Sequence, residues 1–321
     1  MSEVILTIAI PTYNRARLLE TCLTQLAREF GNNSAVEILV SNNASTDDTA
    51  TIVRQYQASV FPKLHYIENE VNLGPDRNIA QCFREAKGKY VWIFSDDDIL
   101  LPTYGASIFK LLTDAEWGLI HLKSIWFNQE EIPQPSPEVM QHKAYSISLD
   151  FLNQINYWVT FITGNIINKG SLTESHVTYE FLDTNLVQLG WVLPSIFIGL
   201  PNALVTTPVL ACRANNTGGY KLFQTFATNF NIIMSKFVMN NIMPLDAQKI
   251  INNHLISGFF PGFITSNQAA FGQERVIATL YKEFNSYPTF WTKLLPTYIE
   301  GIIKSKLRFA KRSLKRVLGR Q

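Results

Sequence analysis

The stretch Gly88-Lys89-Tyr90-Val91-Trp92-Ile93-Phe94-Ser95-Asp96-Asp97-Asp98 constrains this chain more than any other. Tyr90 to Phe94 are apolar or aromatic without alternation, which predicts a strand buried on both faces of a sheet. Three carboxylates follow at once, then Ile99-Leu100 and Pro102. Acids at the C-terminal edge of a buried strand lie where open α/β sheets bind ligands. With strand-like alternation, Asp96 and Asp98 project to the same side, within reach of one cation or one polyol. Adjacent negative charges repel one another, and a divalent metal relieves that repulsion while bridging phosphate oxygens. A solvated acidic loop, with Asp capping the helix after Pro102, is the alternative the triplet alone leaves open.

The residues upstream repeat one pattern. Val4–Ile10 reads as a strand, followed by the loop Pro11-Thr12-Tyr13-Asn14-Arg15 and then by Leu18, Leu19, Cys22, Leu23, Leu26 and Ala27 at helical spacing. Val36–Val40 reads as a second strand running into the polar loop Ser41–Asp48, where Ser45 or Thr46 is expected to cap a helix ending near Gln57. Leu64–Glu68 is a third short strand, after which Asn72-Leu73-Gly74-Pro75-Asp76-Arg77-Asn78 opens a helix through Ala86. Alternation of this kind predicts right-handed βαβ units and a parallel sheet.

In order, Pro11-x-Tyr13-Asn14-Arg15, Asn43-x-Ser45-x-Asp47, Asn72-x-Gly74-x-x-x-Asn78 and Asp96–Asp98 resemble the landmarks of family 2 glycosyltransferases. The Asn-x-Gly-Pro-Asp-x-Asn and triple-Asp details are similar to the O-antigen abequosyltransferase-like branch. The resemblance implies an α/β chain of GT-A fold, with a Rossmann-like, mostly parallel sheet, that transfers a sugar from a nucleotide diphosphate with inversion. It implies that Asp98, with Asp96, ligates Mg²⁺ or Mn²⁺, that Asp96 contacts ribose or donor sugar, and that Asp97 belongs to the donor site by orienting its neighbours.

The chemistry of a nucleotide sugar explains these residue types. Tyr13 can stack on the base while the backbone of Pro11 and Thr12 meets its edge. Arg15 and Arg77 suit phosphate, although each equally suits a helix surface. Asn72 and Asn78 are expected to brace a loop, and Gly74 to supply a backbone shape that Pro75 then fixes. Asn42 and Asn43 end the second strand at the donor site. Where the family usually has Asp, accepting from N3–H of uracil, this chain has Asn42. An amide both donates and accepts, so a preference relaxed toward CDP- or dTDP-sugars is expected.

The second half is less patterned. Trp117–Ile125 and Ala203–Cys212 read as strands, Phe161–Ile167 as a strand bordering the acceptor, and the Pro-rich stretch Glu130–His142 as a mobile loop. Inversion needs a base opposite the leaving diphosphate. Family members carry that acid on a helix some way past the metal motif, which points to Asp183, with Glu180 one turn earlier in reserve. A helix-capping role for Asp183 stands beside that reading. Gln188 and Trp191 resemble part of the Gln-x-x-Arg-Trp signature of processive members, but its Arg is missing, so addition of a single sugar is expected. Arg213 suits either the diphosphate or the surface.

The 321 residues are expected to divide into a catalytic domain at 1–215 (nucleotide-sugar half 1–115, acceptor half 116–215) and a helical region at 216–321. The start of the chain does not resemble a secretory leader, no apolar run is long enough to span a membrane, and the three cysteines are scattered, so a cytoplasmic site is expected. From Ile302 onward there are eight Lys or Arg residues and no acid. Ile303, Leu307, Ala310, Leu314 and Val317 line one helical stripe, with Lys304, Arg308, Lys311 and Lys315 beside it. Such a basic amphipathic helix suits an anionic inner-membrane surface better than nucleic acid, and so favours a saccharide acceptor linked to a polyprenyl diphosphate. A nucleotidyltransferase would be expected to open with a Gly-rich loop that is missing here. An inactive nucleotide-binding protein of the same fold is the other alternative.

Overall fold

The computed structural model describes residues 4–61, 64–127, 133–135, 138–214, 221–266 and 276–304, in two compact units, Met1–Gly219 and Tyr220–Gln321. The basic stretch from 305 onward lies outside the described residues, as do 128–132 and 136–137 of the Pro-rich stretch.

The first unit opens with β1 (Leu6–Thr12), α1 (Ala16–Phe30), β2 (Val36–Asn42), α2 (Thr49–Ser59), β3 (His65–Glu68), α3 (Pro75–Glu85) and β4 (Tyr90–Ile93). These four strands form a parallel sheet in the order β3-β2-β1-β4, as alternation predicts. Leu19, Cys22, Leu23 and Leu26 of α1 are buried in one core with Ile8, Ile10, Ile38 and Val40 of the sheet. All four residues of β4 are buried, because β4 has a neighbour on each side and its run of apolar residues is covered on both faces.

Beyond β4 come β5 (Ile99–Leu100), α4 (Gly105–Asp114), β6 (Leu119–Phe127), β7 (His142–Tyr145), α5 (Ser148–Ile155), β8 (Asn165–Asn168), α6 (Leu189–Ile196) and β9 (Asn202–Arg213). The sheet continues β4-β8-β6-β9-β5, with β8 antiparallel to both β4 and β6, β6 parallel to β9, and β7 antiparallel on β9. The strand expected over Phe161–Ile167 is therefore shorter. Residues 156–164 form short 3₁₀ turns, and only from Asn165 does the chain enter the sheet. Trp92 explains the placement: its indole N–H donates to the Thr163 carbonyl at 2.7 Å, in a fully buried setting, and pins this segment against β4.

The second unit is helical, as its aromatic periodicity predicts: α7 (Phe230–Met239), α8 (Leu245–His254), α9 (Phe260–Ser266) and α10 (Val276–Phe284). Phe260 lies between Phe223 and Phe284, with ring centroids 5.6 and 5.7 Å away. Buried Asn252 donates to Asn231 (2.7 Å) and to the Tyr287 hydroxyl (2.9 Å).

Candidate active site

Every loop at the C-terminal edge of β1, β2 and β3 is tied to its neighbour by an amide or carboxylate side chain. After β1, the Asn14 carbonyl accepts from Thr46 N–H (2.7 Å), and its own N–H donates to Ser45 Oγ (2.8 Å). Asp47, rather than Ser45 or Thr46, does the capping: it accepts from Ala16 N–H at the start of α1 (2.9 Å) and from Thr49 N–H at the start of α2 (3.2 Å). One carboxylate thus satisfies orphan donors of two helices. Buried Asn43 donates to Asn72 (2.8 Å) and accepts from Leu73 N–H (2.9 Å) and Asn69 (3.2 Å), so it staples the β3–α3 loop to β2. Asn78 donates to the Ser41 carbonyl (3.0 Å) and accepts from the Ser41 hydroxyl (2.6 Å), bracing the loop as expected. Gly74, at φ +83° and ψ 165°, occupies a conformation open only to glycine, and Pro75 starts α3 directly after it.

Two residues expected at the donor are engaged within the protein. Asn42 is fully buried, its amide donating to the Tyr66 hydroxyl (2.9 Å) and its carbonyl accepting from Ser45 N–H (3.0 Å). It braces the loop and offers no exposed edge to a base, which removes the geometric ground for a relaxed nucleotide preference. Arg15 is directed not at open solvent but at the triplet, 3.0 Å from Asp96 and 3.2 Å from Asp97. Tyr13, by contrast, is 43% exposed beside these loops, with its ring available for stacking. The Thr12 hydroxyl donates to Asp96 (2.7 Å), and its carbonyl accepts from Asn43 N–H (2.9 Å). Pro11 lies in register with Ser41 on β2.

The triplet is a buried turn rather than a strand end, since β4 stops at Ile93 and Asp98 N–H bonds back to the Ser95 carbonyl (3.2 Å). Period-two alternation therefore does not orient its side chains. Asp96 is gripped from the β1 side by Thr12 and Arg15, and Asp98 from the far side by Thr163 and the Cys212 thiol. The Thr163 hydroxyl accepts from Ser95 N–H (3.0 Å) and serves Asp98 as well, so one side chain sets the turn. Burial raises Asp98 to about 7, opposed by the Thr163 hydrogen bond and reinforced by the Asp97 charge. Burial raises Asp96 to about 6 against the charge of Arg15. Such carboxylates are poised to exchange a proton for a cation. Among the described residues no three His, Cys, Asp or Glu side chains are grouped to hold a metal by themselves.

The segment carrying Asp183 is not a helix. Residues 180–185 form turns, with Asp183 at φ +65° and Asn185 at φ +61°, and α6 begins only at Leu189. This turn is docked on the first turn of α3, where Asp76, 4% exposed, accepts from Asn185 N–H (2.9 Å). Arg77 meets Asp183 through two bonds of 2.6 and 3.1 Å. The structure therefore places Asp183 at the same sheet edge as the donor loops, with Arg77 on its carboxylate rather than free for phosphate. The Arg77 hydrogen bond holds Asp183 below the usual carboxylate range. Glu180 lies in the same turn segment, solvent-exposed. Trp191 is fully buried and stacked on Phe83 (4.3 Å), so it packs α6 on α3. Arg213 lies over the Phe127 ring (5.0 Å).

Sequence reasoning missed Thr163, Cys212 and Asp76. Thr163 and Cys212 lie in apolar runs that betray nothing of their partners, and Asp76 reads as an ordinary first-turn acid.

The model of the family described as Glycosyl transferase family 2 matches residues 7–166, about half of the chain. Abequosyltransferase RfbV of Salmonella typhimurium is 28% identical over 224 residues, covering 66% of this chain and 67% of that protein. A Campylobacter jejuni GalNAc(5)-diNAcBac-PP-undecaprenol beta-1,3-glucosyltransferase is 28% identical over 117 residues, 36% of each chain. A solved structure of S. aureus TarS 1-349 in complex with UDP-GlcNAc superposes with a TM-score of 0.64 at 18% identity, covering 87% of this chain and 80% of that one. The chain belongs to glycosyltransferase family 2: it is a glycosyltransferase of GT-A fold.

Proposed function

We propose that this enzyme moves one sugar, with inversion, from a nucleotide diphosphate sugar to a saccharide acceptor, as in assembly of an O-antigen or capsule. The observation that carries the reading is the buried Asp96–Asp98 turn at the end of β4, gripped from both sides. Its all-oxygen donor set and its raised carboxyl values fit a hard divalent cation, Mg²⁺ or Mn²⁺, held by Asp98 with Asp96. Such a cation offsets charge on the leaving diphosphate. Asp96 would fix ribose or donor sugar, with Asp97 keeping Arg15 in place. Tyr13 would stack on the base beside the backbone of Pro11 and Thr12. Asn43 would act through the loop it staples, as Asn42 does through Ser45.

Asp183 is the proposed base and Glu180 its reserve. The first holds its charge to low pH through Arg77 and lies at the donor edge, as a proton acceptor for the acceptor hydroxyl must. Arg77 would exchange Asp183 for diphosphate when the donor enters. The division into a nucleotide-sugar half (1–115), an acceptor half (116–215) and a helical region belongs to the same proposal.

A lipid-linked acceptor and a peripheral place on the cytoplasmic face of the inner membrane follow from the basic tail. They are supported by the polyprenol-linked substrate in the name of the Campylobacter relative and by the exposed Ile302 and Ile303 that lead into the tail. Among the described residues no helix is long and apolar enough to cross a membrane.

Thermal unfolding against UDP, GDP, CDP and dTDP, with and without Mn²⁺, tests the donor site in wild type and Asp98→Ala. A ligand that binds only the folded state raises stability by RT ln(1 + [L]/Kd). One nucleotide should stabilise the wild type in a metal-dependent way that Asp98→Ala abolishes. No response to any of the four would sink the reading.

A further inference from the structure

On the far side of β4 from the donor loops, a group of aromatic rings reaches solvent. Trp126, 47% exposed, lies 6.0 Å from Trp158, 37% exposed, and 5.4 Å from Phe161; Tyr157 meets Trp158 at 5.5 Å. We propose that Trp126, Trp158 and Phe161 form the stacking platform for the acceptor saccharide, an inference that rests on the glycosyltransferase reading of the Asp96–Asp98 site.

Three observations place this platform beside the chemistry. In the parallel β6–β9 ladder Trp126 is in register with Cys212, and residues in register project to the same face. Cys212 is the residue whose thiol meets Asp98, so Trp126 leaves the sheet on the face where Asp98 lies. Phe161 is two residues from Thr163, which bonds both Ser95 and Asp98. Sheet order β2-β1-β4-β8-β6-β9-β5 then puts Tyr13, after β1, and Trp126, on β6, on opposite sides of β4, with β6 between the two strands, β4 and β5, that the acidic turn joins. A base stacked on Tyr13 leaves the second aromatic surface for the other substrate.

The platform is braced as a binding surface would be. Asn165 donates to the Val159 carbonyl (3.0 Å) and the Phe161 carbonyl (2.8 Å), and Gln188 to the Thr160 carbonyl (2.9 Å). Because the Asn165 amide nitrogen is committed to those carbonyls, its oxygen faces His121 Nδ1 at 2.9 Å, and the buried imidazole donates from that nitrogen. The polar side chains thus hold the backbone from below while the Trp126 and Trp158 rings face outward and Phe161, partly buried, packs between them and the core. Partly exposed indoles carry no positive charge to pair with a phosphate, but they match the apolar C–H face of a pyranose.

The test uses the full chain with its stabilising nucleotide and Mn²⁺, and butyl glycosides of galactose, mannose and rhamnose as probes in saturation-transfer NMR. Wild type should saturate ring C–H protons of at least one glycoside. Trp126→Ala and Trp158→Ala should each weaken that binding about fivefold to tenfold. Trp126→Phe should retain most of it, and the nucleotide-induced rise in Tm should persist in all three, which also shows that they fold. The proposal is overturned if wild type responds to nucleotide but binds no glycoside, or if both alanine variants bind as wild type does. It also falls if saturation reaches only the butyl protons, the mark of a lipid-chain site, or if the nucleotide response declines together with glycoside binding. Failure of the wild type to respond to any nucleotide refutes instead the reading on which the platform rests.

Discussion

The two flanks of the acidic turn are made of different materials. On the β1–β2–β3 side, Asn14, Asn43, Asn69, Asn78 and Asp47 cross-link successive loops, and Tyr13 is the large ring left exposed among them. On the β6–β9 side the polar groups, His121, Asn165 and Gln188, are turned toward backbone or one another beneath exposed rings. A nucleoside diphosphate presents fixed charge and fixed hydrogen-bond geometry, and a cross-linked polar rim preorganises the backbone to meet both. A neutral saccharide carries no fixed charge, and beside its hydroxyls it presents an apolar C–H face that an aromatic ring can cover. The first flank is costly to alter anywhere, whereas the second can change its exposed rings without disturbing what lies under them.

The group common to both flanks gives the largest expected effect. Asp98→Asn keeps the shape and the Thr163 contact but removes the charge that would hold the cation. Transfer should fall roughly a thousandfold, with the fold intact by thermal unfolding. Retention of more than a tenth of the activity would show that Asp98 does not stabilise the leaving diphosphate.

Below the aromatic flank the expected effect is on stability. Burial lowers His121 from 6.5 to about 4, against the Asn165 hydrogen bond that raises it. The neutral imidazole therefore favours the fold fully above about pH 6.5, and this contribution is lost as pH falls through about 4. The integrated loss is roughly 3 kcal/mol. His121→Gln keeps a group able to reach Asn165 but does not titrate, so urea unfolding of the variant should lack that share of the decline between pH 6.5 and 4. An identical decline in the two proteins would mean that the ring protonates without cost.

On the polar flank, Asn43→Ala leaves Leu73 N–H without its partner, whereas the exposed Asn72 side chain keeps Gly74 N–H, for a cost of about 1 kcal/mol. It should also weaken nucleotide binding severalfold, although Asn43 itself is 3% exposed and need not touch the ligand. Weaker folding with unchanged nucleotide affinity would divorce the staple from the site.

The contrast also explains what the sequence revealed. Parallel βαβ units announce themselves through local periodicity, so β1 to β4 and the loops between them are legible in Val4–Asp98. The role of Asn43 as a staple is not, because its partners at 69, 72 and 73 come together only through the β2–β3 pairing. In the other half, β8 is four residues long and antiparallel, and its placement depends on Trp92 holding Thr163 across 71 residues of sequence. Asp183 shows the same limit. Its distance from the triplet brings it forward only as a candidate base, while the positive φ of Asp183 and Asn185 and the docking onto Asp76 arise from tertiary contact that no helical pattern signals.

The smallest expected effect concerns the Arg77–Asp183 pair, which joins α3, on the polar flank, to the turn before α6. Arg77 stabilises the ionised form of Asp183, so a base at this position stays deprotonated to lower pH than an ordinary carboxylate. Arg77→Gln removes that help, and the acid limb of the pH–kcat/KM profile should move upward. The pair is solvent-exposed, so screening keeps the displacement small and the maximal rate above the limb little changed in its Asp183-dependent part. If Arg77 also takes the diphosphate, KM for the donor rises in the same variant. The two effects separate with salt and pH: loss of the phosphate contact raises KM across the pH range, whereas loss of the ion pair acts only near the acid limb. An acid limb unmoved in Arg77→Gln, together with Asp183→Asn retaining near-full kcat, would transfer the role of base to Glu180.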